Sequence, residues 1–296
     1  MTAESEYSVE EKSYRGRIAP TPSGLLHAGH ARTFWIAWHR SRQFKGSLIY
    51  RTEDLDPLRC KAYFADSALE DMRWLGLSWV EGPEIGGAYA PYCQSARMSR
   101  YILKWKKLLE DGHIFPCYRS RKELRAHALQ SGGEGNESLY PREWRPKETN
   151  YTGSLSPGTD VAWRFRVPLG RKVLIDDVCL GKKIFVAGED FGDFVIWRRD
   201  GIPAYELAVV VDDVEMKITE VVRGQDLLLS TARQLLLYDA FGETSPDFFH
   251  CPLLLDDEGE KLSKSLGSRA IKEHRANGAN PDEWTEAFDV FYRGLT

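Results

Sequence analysis

Two short segments, far apart in the chain, carry residue types suited to phosphoryl chemistry. The first runs Ala19-Pro20-Thr21-Pro22-Ser23-Gly24-Leu25-Leu26-His27-Ala28-Gly29-His30. It reads as a strand end, a Pro/Gly-stiffened turn and a helix start, which is where open α/β sheets bind ligands. Turn amides and a helix N-terminus favour a polyphosphate. His27 and His30 flank Gly29, so both imidazoles can face a nucleotide laid over that glycine and donate to phosphoryl oxygens as charge develops. The second segment is Gly259-Glu260-Lys261-Leu262-Ser263-Lys264-Ser265-Leu266-Gly267. Lysine is a mobile point charge that reaches successive phosphates, and a Gly-bounded loop can close over them. Each segment alone has an ordinary alternative: two incidental surface histidines, or a solvated basic loop. Placed at opposite ends of one α/β unit, they point together to a nucleotide site.

The elements that must position these segments follow an α/β rhythm. Arg17–Ala19 reads as a strand, followed by a helix to about Phe44 with Ala31, Phe34 and Trp38 at helical spacing. Ser47–Arg51 is a second strand ending at Glu53-Asp54, and helices follow over Asp66–Leu75 and Ala96–Leu109. This order predicts a parallel sheet with crossover helices. The texture changes between 117 and 150, where a Gly-rich loop precedes Pro141 and Pro146. The extended segments Val161–Val167, Arg171–Ile175 and Lys183–Val186 read as hairpin structure inserted into the α/β unit. The rhythm resumes with a strand over Ile218–Val222, a helix over Asp226–Phe241 and a strand over Phe248–Leu255.

Composition sets outer bounds. The chain has 296 residues, is 42% hydrophobic and carries a formal net charge of −4, enough apolar material for a large core. That charge excludes a wholesale basic polyanion binder while permitting a local basic track. Five scattered cysteines (Cys60, Cys93, Cys117, Cys179 and Cys251) form no C-x-x-C pair, so reduced thiols in a cytosol are expected. The polar N-terminus has no signal-peptide core, and no apolar run approaches the ~20 residues that cross a bilayer. A cytoplasmic protein follows from this reading, and a monomer is a separate expectation.

The two segments together resemble the nucleotide site of class I aminoacyl-tRNA synthetases. Four further stretches resemble the glutamyl branch: Arg17–Gly24, Arg51-Thr52-Glu53-Asp54-Leu55-Asp56, Ala204–Asp213 and Thr219-Glu220-Val221-Val222-Arg223-Gly224. The resemblance implies an α/β fold, a Rossmann-like catalytic domain with an inserted α+β acceptor-type subdomain. It implies ATP with Mg²⁺ at His27, Gly29, His30, Lys261, Ser263, Lys264 and Ser265, with the two histidines and two lysines catalytic. It also implies L-glutamate held by Arg17, Ala19, Thr21, Glu53, Tyr205 and Arg223. The chemistry agrees: guanidiniums suit bidentate carboxylate recognition, Glu53 offers a carboxylate to the ammonium, and Tyr205 adds a hydroxyl.

About thirty residues follow Ser265, among them Trp284, Phe288, Phe291 and Tyr292, which suggest one short terminal helix and no anticodon-binding domain. In this the chain resembles the glutamyl-queuosine tRNA(Asp) synthetases, which transfer activated glutamate to queuosine in the anticodon loop of tRNA(Asp). The expected organisation is a disordered lead-in over 1–14, catalytic halves over 15–116 and 191–267, an insertion over 117–190, and a terminal helical segment over 268–296. That family commonly holds zinc in the insertion with three Cys and a Tyr. Here the four places read Cys117, Arg119, Tyr140 and Trp144. A guanidinium repels the metal and an indole donates poorly. Zinc is therefore expected to be absent, with aromatic packing around Tyr118, Tyr140 and Trp144 in its place.

Other readings are a synthetase charging a tRNA 3′ end, a small-molecule nucleotidyltransferase, a non-catalytic RNA-binding paralogue, and a catalytic fragment that works with a separate partner. In the favoured mechanism the glutamate α-carboxylate attacks the α-phosphorus of ATP and pyrophosphate leaves, while the protein positions groups and neutralises charge. Lys264→Ala is then expected to slow glutamate-dependent ATP–pyrophosphate exchange by a factor on the order of 10²–10³, as loss of one transition-state donor does. Near-intact exchange in that variant would remove Lys264 from the chemistry.

Overall fold

The fold comes from a computed structural model, which describes residues 13–130, 139–147, 157, 161–253 and 269–295. Strand β1 (Arg15–Ile18) leads through the turn at 19–27 into helix α1 (Ala28–Gln43), and β2 (Ser47–Tyr50) then pairs parallel with β1. Ala31, Trp35 and Ile36 are buried along one face of α1, the stripe that seats it on the sheet. Helices α2 (Ala62–Trp74) and α3 (Met98–Glu110) follow.

The second half repeats the plan. Helix α5 (Tyr205–Glu215) precedes β8 (Glu220–Gly224), α6 (Leu228–Phe241) and β9 (Asp247–Cys251), with β8 and β9 parallel. Gly242, in the left-handed region at φ 67°, terminates α6. The halves meet where Arg15 of β1 donates its amide to Thr219 Oγ1 at 2.8 Å and receives the Thr219 amide at 2.9 Å. From this join the chain winds outward through α1 to β2 in one direction and through α6 to β9 in the other. The C-terminal ends of β1 and β8 therefore flank a topological switch point, the crevice where such sheets take ligands.

The intervening segment divides between two sheets. Strands β3 (Ile114–Cys117), β4 (Ala162–Phe165) and β7 (Val195–Trp197) form a small antiparallel sheet, with α4 (Arg121–Gln130) beside it in sequence. The hairpin β5 (Lys172–Asp177) and β6 (Gly181–Val186), read from sequence as part of the insertion, instead adds to the catalytic sheet. Asp177 of β5 pairs parallel with Phe248 of β9, giving the order β6-β5-β9-β8.

Two other expectations change. Tyr14, read as the end of a disordered lead-in, stacks on Phe44 at 5.3 Å and donates to Glu220 Oε2 at 2.8 Å; residues 1–12 lie outside the described residues. The tail is two helices, α7 (Ile271–Ala276) and α8 (Pro281–Arg293), rather than one. The Ile271 amide donates to the Leu26 carbonyl at 2.8 Å, and Phe288 and Tyr292 pack against Trp35. The terminal segment thus braces the turn that precedes His27. No helix among the described residues is long and apolar enough to cross a membrane.

Beneath the crevice lies a cluster of buried charge. Arg51 reaches Asp213 at 2.6 Å and Glu53 at 3.0 Å, Arg97 reaches Asp212 at 2.6 Å, and Gln94 and Tyr101 also donate to Asp212. Removing one partner strands its neighbours without compensation, which costs about 3–5 kcal/mol for buried pairs. Asp212→Ala is accordingly expected to lower unfolding free energy by that amount in denaturant titration. An unchanged midpoint would show that the cluster does not hold the halves together.

Candidate active site

The turn after β1 is fixed by its own backbone and by β2. Ile18 O receives the Arg51 amide at 2.9 Å and Pro20 O receives the Glu53 amide at 3.0 Å, so the two chemistry-bearing stretches are laced together. At the helix start the histidines cap α1. His27 Nδ1 accepts from the Gly29 amide at 3.2 Å, and His30 Nδ1 accepts from the His27 amide at 3.4 Å. A nitrogen that accepts carries no proton, so both rings are neutral tautomers with Nε2–H left to donate. Their centroids lie 3.8 Å apart. A Cβ on Gly29 would stand 3.2 Å from His27 Cε1 and press on that ring.

A cavity of about 640 Å³ opens at this point. Its walls include Arg17, Ala19, Thr21, His27, Gly29, His30, Glu53, Tyr205 and Arg223, the nine sequence-predicted site residues that fall among the described residues. Lys261, Ser263, Lys264 and Ser265 lie outside them. The cavity wall also contains Arg32, Gly224, Asp226, Leu227 and Leu253, which sequence reasoning missed. Gly224 was visible only as the end of the Glu220–Gly224 motif. A Cβ there would meet Asp226 Oδ1 at 2.5 Å, so a larger residue would require that carboxylate to swing aside.

The charges lining the cavity are held differently. Arg17 donates to the Val222 carbonyl at 3.1 Å and lies 3.6 Å from Asp213. Glu53 accepts from Arg51, and burial pushes its carboxyl above the usual range despite that cation. Arg223 is 4% exposed, and its partners are neutral. It donates to Thr231 Oγ1 at 2.6 Å, Gln234 Oε1 at 2.8 Å, His250 Nε2 at 3.3 Å and, at 3.5 Å, the Tyr205 hydroxyl. Among the described residues no carboxylate pairs with it. A buried cation without a counter-ion is costly, so this geometry favours an anionic ligand.

A second cavity of about 730 Å³ shares Thr21, Ser23, Glu53 and Tyr205 with the first. It extends toward the small sheet, where Arg164, Arg198 and Arg233 line it. The four places compared with zinc ligands do sit together, but as an organic cluster. The Arg119 guanidinium lies 4.8 Å over the Trp144 ring and pairs with Glu123, and the Tyr140 hydroxyl donates to the Trp144 carbonyl. These donors do not fit a tetrahedral zinc. Tyr118, expected within that packing, is instead 72% exposed; the buried Phe115 of β3 packs against Tyr140 at a tilt, with ring centroids 5.5 Å apart.

The chain matches the family model described as tRNA synthetases class I (E and Q), catalytic domain, over residues 13–291. It is 43% identical to the glutamyl-Q tRNA(Asp) synthetase of Symbiobacterium thermophilum over 276 residues, covering 90% of this chain and 83% of that one. It is 43% identical to the protein of the same name from Nitratidesulfovibrio vulgaris, with the same coverage. Against the glutamate–tRNA ligase of Methylobacillus flagellatus it is 39% identical but spans only 56% of that protein. A crystal structure of glutamate-tRNA synthetase from Elizabethkingia anophelis superposes with a TM-score of 0.75 at 30% identity, over 90% of this chain and 54% of the other.

Desolvation by the surrounding protein lowers the His27 pKa. The same effect, with the His27 ring adding to it and Asp226 opposing, lowers His30 to about 4, although His30 keeps solvent access at the cavity mouth. Folded values below the unfolded 6.5 mean that the stability from the neutral rings is complete above that pH and fades as pH falls toward 4. In a proton NMR titration of the ligand-free enzyme both rings are expected to titrate below 6.5, His30 near 4. A value at or above 6.5 for either would contradict the capping tautomers.

Proposed function

The chain belongs to the class I tRNA synthetases of the glutamate and glutamine branch, and from that premise we propose that it activates L-glutamate with ATP and transfers it to queuosine in the anticodon loop of tRNA(Asp). The observation that carries the reading is Arg223, buried in the cavity wall with neutral partners, facing the side where Arg17, Glu53 and Tyr205 also converge. One substrate that bears two carboxylates and an ammonium satisfies this set. Arg223 and Arg17 take the carboxylates, and Glu53 takes the ammonium. That ammonium also offsets the burial that raises the Glu53 pKa.

ATP occupies the His27–His30 side of the same cavity. The turn amides and the two Nε2–H donors face its phosphates, and Mg²⁺ bound with the nucleotide would supply further neutralising charge there. The α-carboxylate attacks the α-phosphorus in line and expels pyrophosphate, and Lys261 and Lys264 neutralise the charge that develops. Ala19 and Thr21 line the turn between the two substrates, and Gly29 keeps the His27 ring in place. The protein supplies no nucleophile of its own; it supplies geometry and compensating charge.

The acceptor RNA uses the second cavity. Thr21, Ser23, Glu53 and Tyr205 stand in both walls, so the mixed anhydride formed in one is presented to a hydroxyl held in the other. Arg59, Arg164, Arg198 and Arg233 line that second cavity beside Glu53, Asp56, Asp193 and Glu206, with Arg198 paired to Asp56 at 2.8 Å and Arg233 3.5 Å from Glu206, so the acceptor is held there by directed hydrogen bonds rather than by net positive charge. The insertion holds its shape without zinc, through Arg119 over Trp144 and Arg164 over Tyr140. The queuosine acceptor rests on the two relatives bearing that activity in their names, of which this chain covers 83%.

Labelled glutamate with ATP is expected to acylate queuosine-containing tRNA(Asp), and the label should survive removal of the tRNA 3′ end. Charging confined to the 3′ end of tRNA(Glu) would overturn the acceptor assignment.

A further inference from the structure

Arg223 is held from behind by residues that never reach the cavity. Arg223 of β8 and His250 of β9 are register partners, and Asp177 at the end of β5 lies against the same stretch of β9. All three are buried, and neither His250 nor Asp177 lines either cavity. The Asp177 carboxylate receives the amides of Cys179 at 3.0 Å, Leu180 at 2.8 Å and His250 at 3.1 Å. It also meets His250 Nδ1 at 2.5 Å.

We infer that Asp177 and His250 are a positioning pair, which fixes a lone pair on His250 Nε2 and so sets the Arg223 guanidinium to receive the substrate carboxylate. The charged neighbours select the arrangement. Asp177, acceptor-only when ionised, demands a proton on Nδ1. A guanidinium has donors and no acceptor, so Arg223 Nε, 3.3 Å from Nε2, demands a lone pair there. The Thr231 hydroxyl accepts from Arg223 Nη2 at 2.6 Å, and its proton lies between the Nε2 lone pair at 2.8 Å and the Leu227 carbonyl at 3.0 Å. Protonating the ring would set two buried cations face to face. Burial already lowers the His250 pKa, with the adjacent Arg223 acting in the same direction against Asp177. Burial tends to raise the Asp177 pKa, but its hydrogen bonds from the His250 ring and the Leu180 amide outweigh that and lower it. With Nε and Nη2 committed to neutral acceptors, Nη1 is left beside Tyr205 on the cavity side, and the full charge of Arg223 remains for the ligand. This orientation of a reacting group through a carboxylate–imidazole pair follows the logic by which outer hydrogen bonds orient inner ones.

The inference rests on the glutamate reading, and the test separates the two. In the intact protein, His250→Gln keeps an acceptor near the Nε2 position, whereas His250→Met fills the space without one. A double variant, Asp177→Asn with His250→Met, avoids leaving a buried unpaired carboxylate should the single variant fail to fold. In glutamate-dependent pyrophosphate exchange, the Met variants are expected to raise the glutamate KM tenfold or more. The ATP KM should stay within twofold, and His250→Gln should stay close to the parent. Nitrogen-15 shifts of the unmodified protein are expected to show His250 protonated at Nδ1 and bare at Nε2. A bare Nδ1, or a folded Met variant with an unchanged glutamate KM, would overturn the pairing while leaving the glutamate reading intact. Glutamate and ATP KM rising together would also overturn it, as a general structural effect. Absence of glutamate-dependent exchange in the unmodified protein would remove both.

Discussion

The unequal distribution of buried charge is the constraint on which the rest depends. Arg17, Arg51 and Arg97 are buried with Glu53, Asp212 and Asp213, three cations against three anions, in a cluster that joins the two halves of the sheet beneath the cavity. Such a cluster is weak evidence for stability in itself, because desolvation offsets most of the attraction. What it provides is a rigid floor with no spare charge. Arg223 stands outside that balance, equally buried and surrounded by Thr231, Gln234, Tyr205 and His250. Among the described residues Arg223 and Arg32 are both buried in the cavity wall without a carboxylate partner, and Arg223 is the one beside Arg17, Glu53 and Tyr205, where the proposed substrate carboxylate would bind.

Much of this was legible in the residues because the chemistry is local. His27, Gly29 and His30 are neighbours in sequence, and so are Arg51 and Glu53; the strand ends that carry them converge by the topology of a wound sheet. The capping role of the two imidazoles was not legible, because it depends on backbone geometry rather than residue type. Helix α5 was also missed as an element: Leu207–Asp213 is buried on every side, including three consecutive valines, so no amphipathic period marks it. Arg32, Asp226 and Leu227 reach the cavity from positions that no motif spans. The β5 strand alternates as one of an inserted hairpin would, and only its parallel pairing with β9 assigns the hairpin to the larger sheet. That long-range pairing is what brings Asp177 under His250.

The same contrast runs through the small sheet. Arg119 and Trp144 were readable as poor zinc donors, and in the structure the Arg119 guanidinium lies over the Trp144 indole, with Arg164 over Tyr140. The neighbouring Tyr118 could not be placed from type alone, because successive residues of a strand and its exit point to opposite sides. It faces outward, while Cys117 is buried.

These features converge on a claim about substrate charge. Pyrophosphate exchange by the intact protein, measured side by side with glutamate and with glutamine, tests it most directly, because the two acids differ by the one charge that Arg223 lacks a partner for. Glutamate is expected to support exchange at least about a hundredfold better, since a site built around a buried donor rejects the analogue that leaves it unsatisfied. Equal exchange with glutamine would contradict the account.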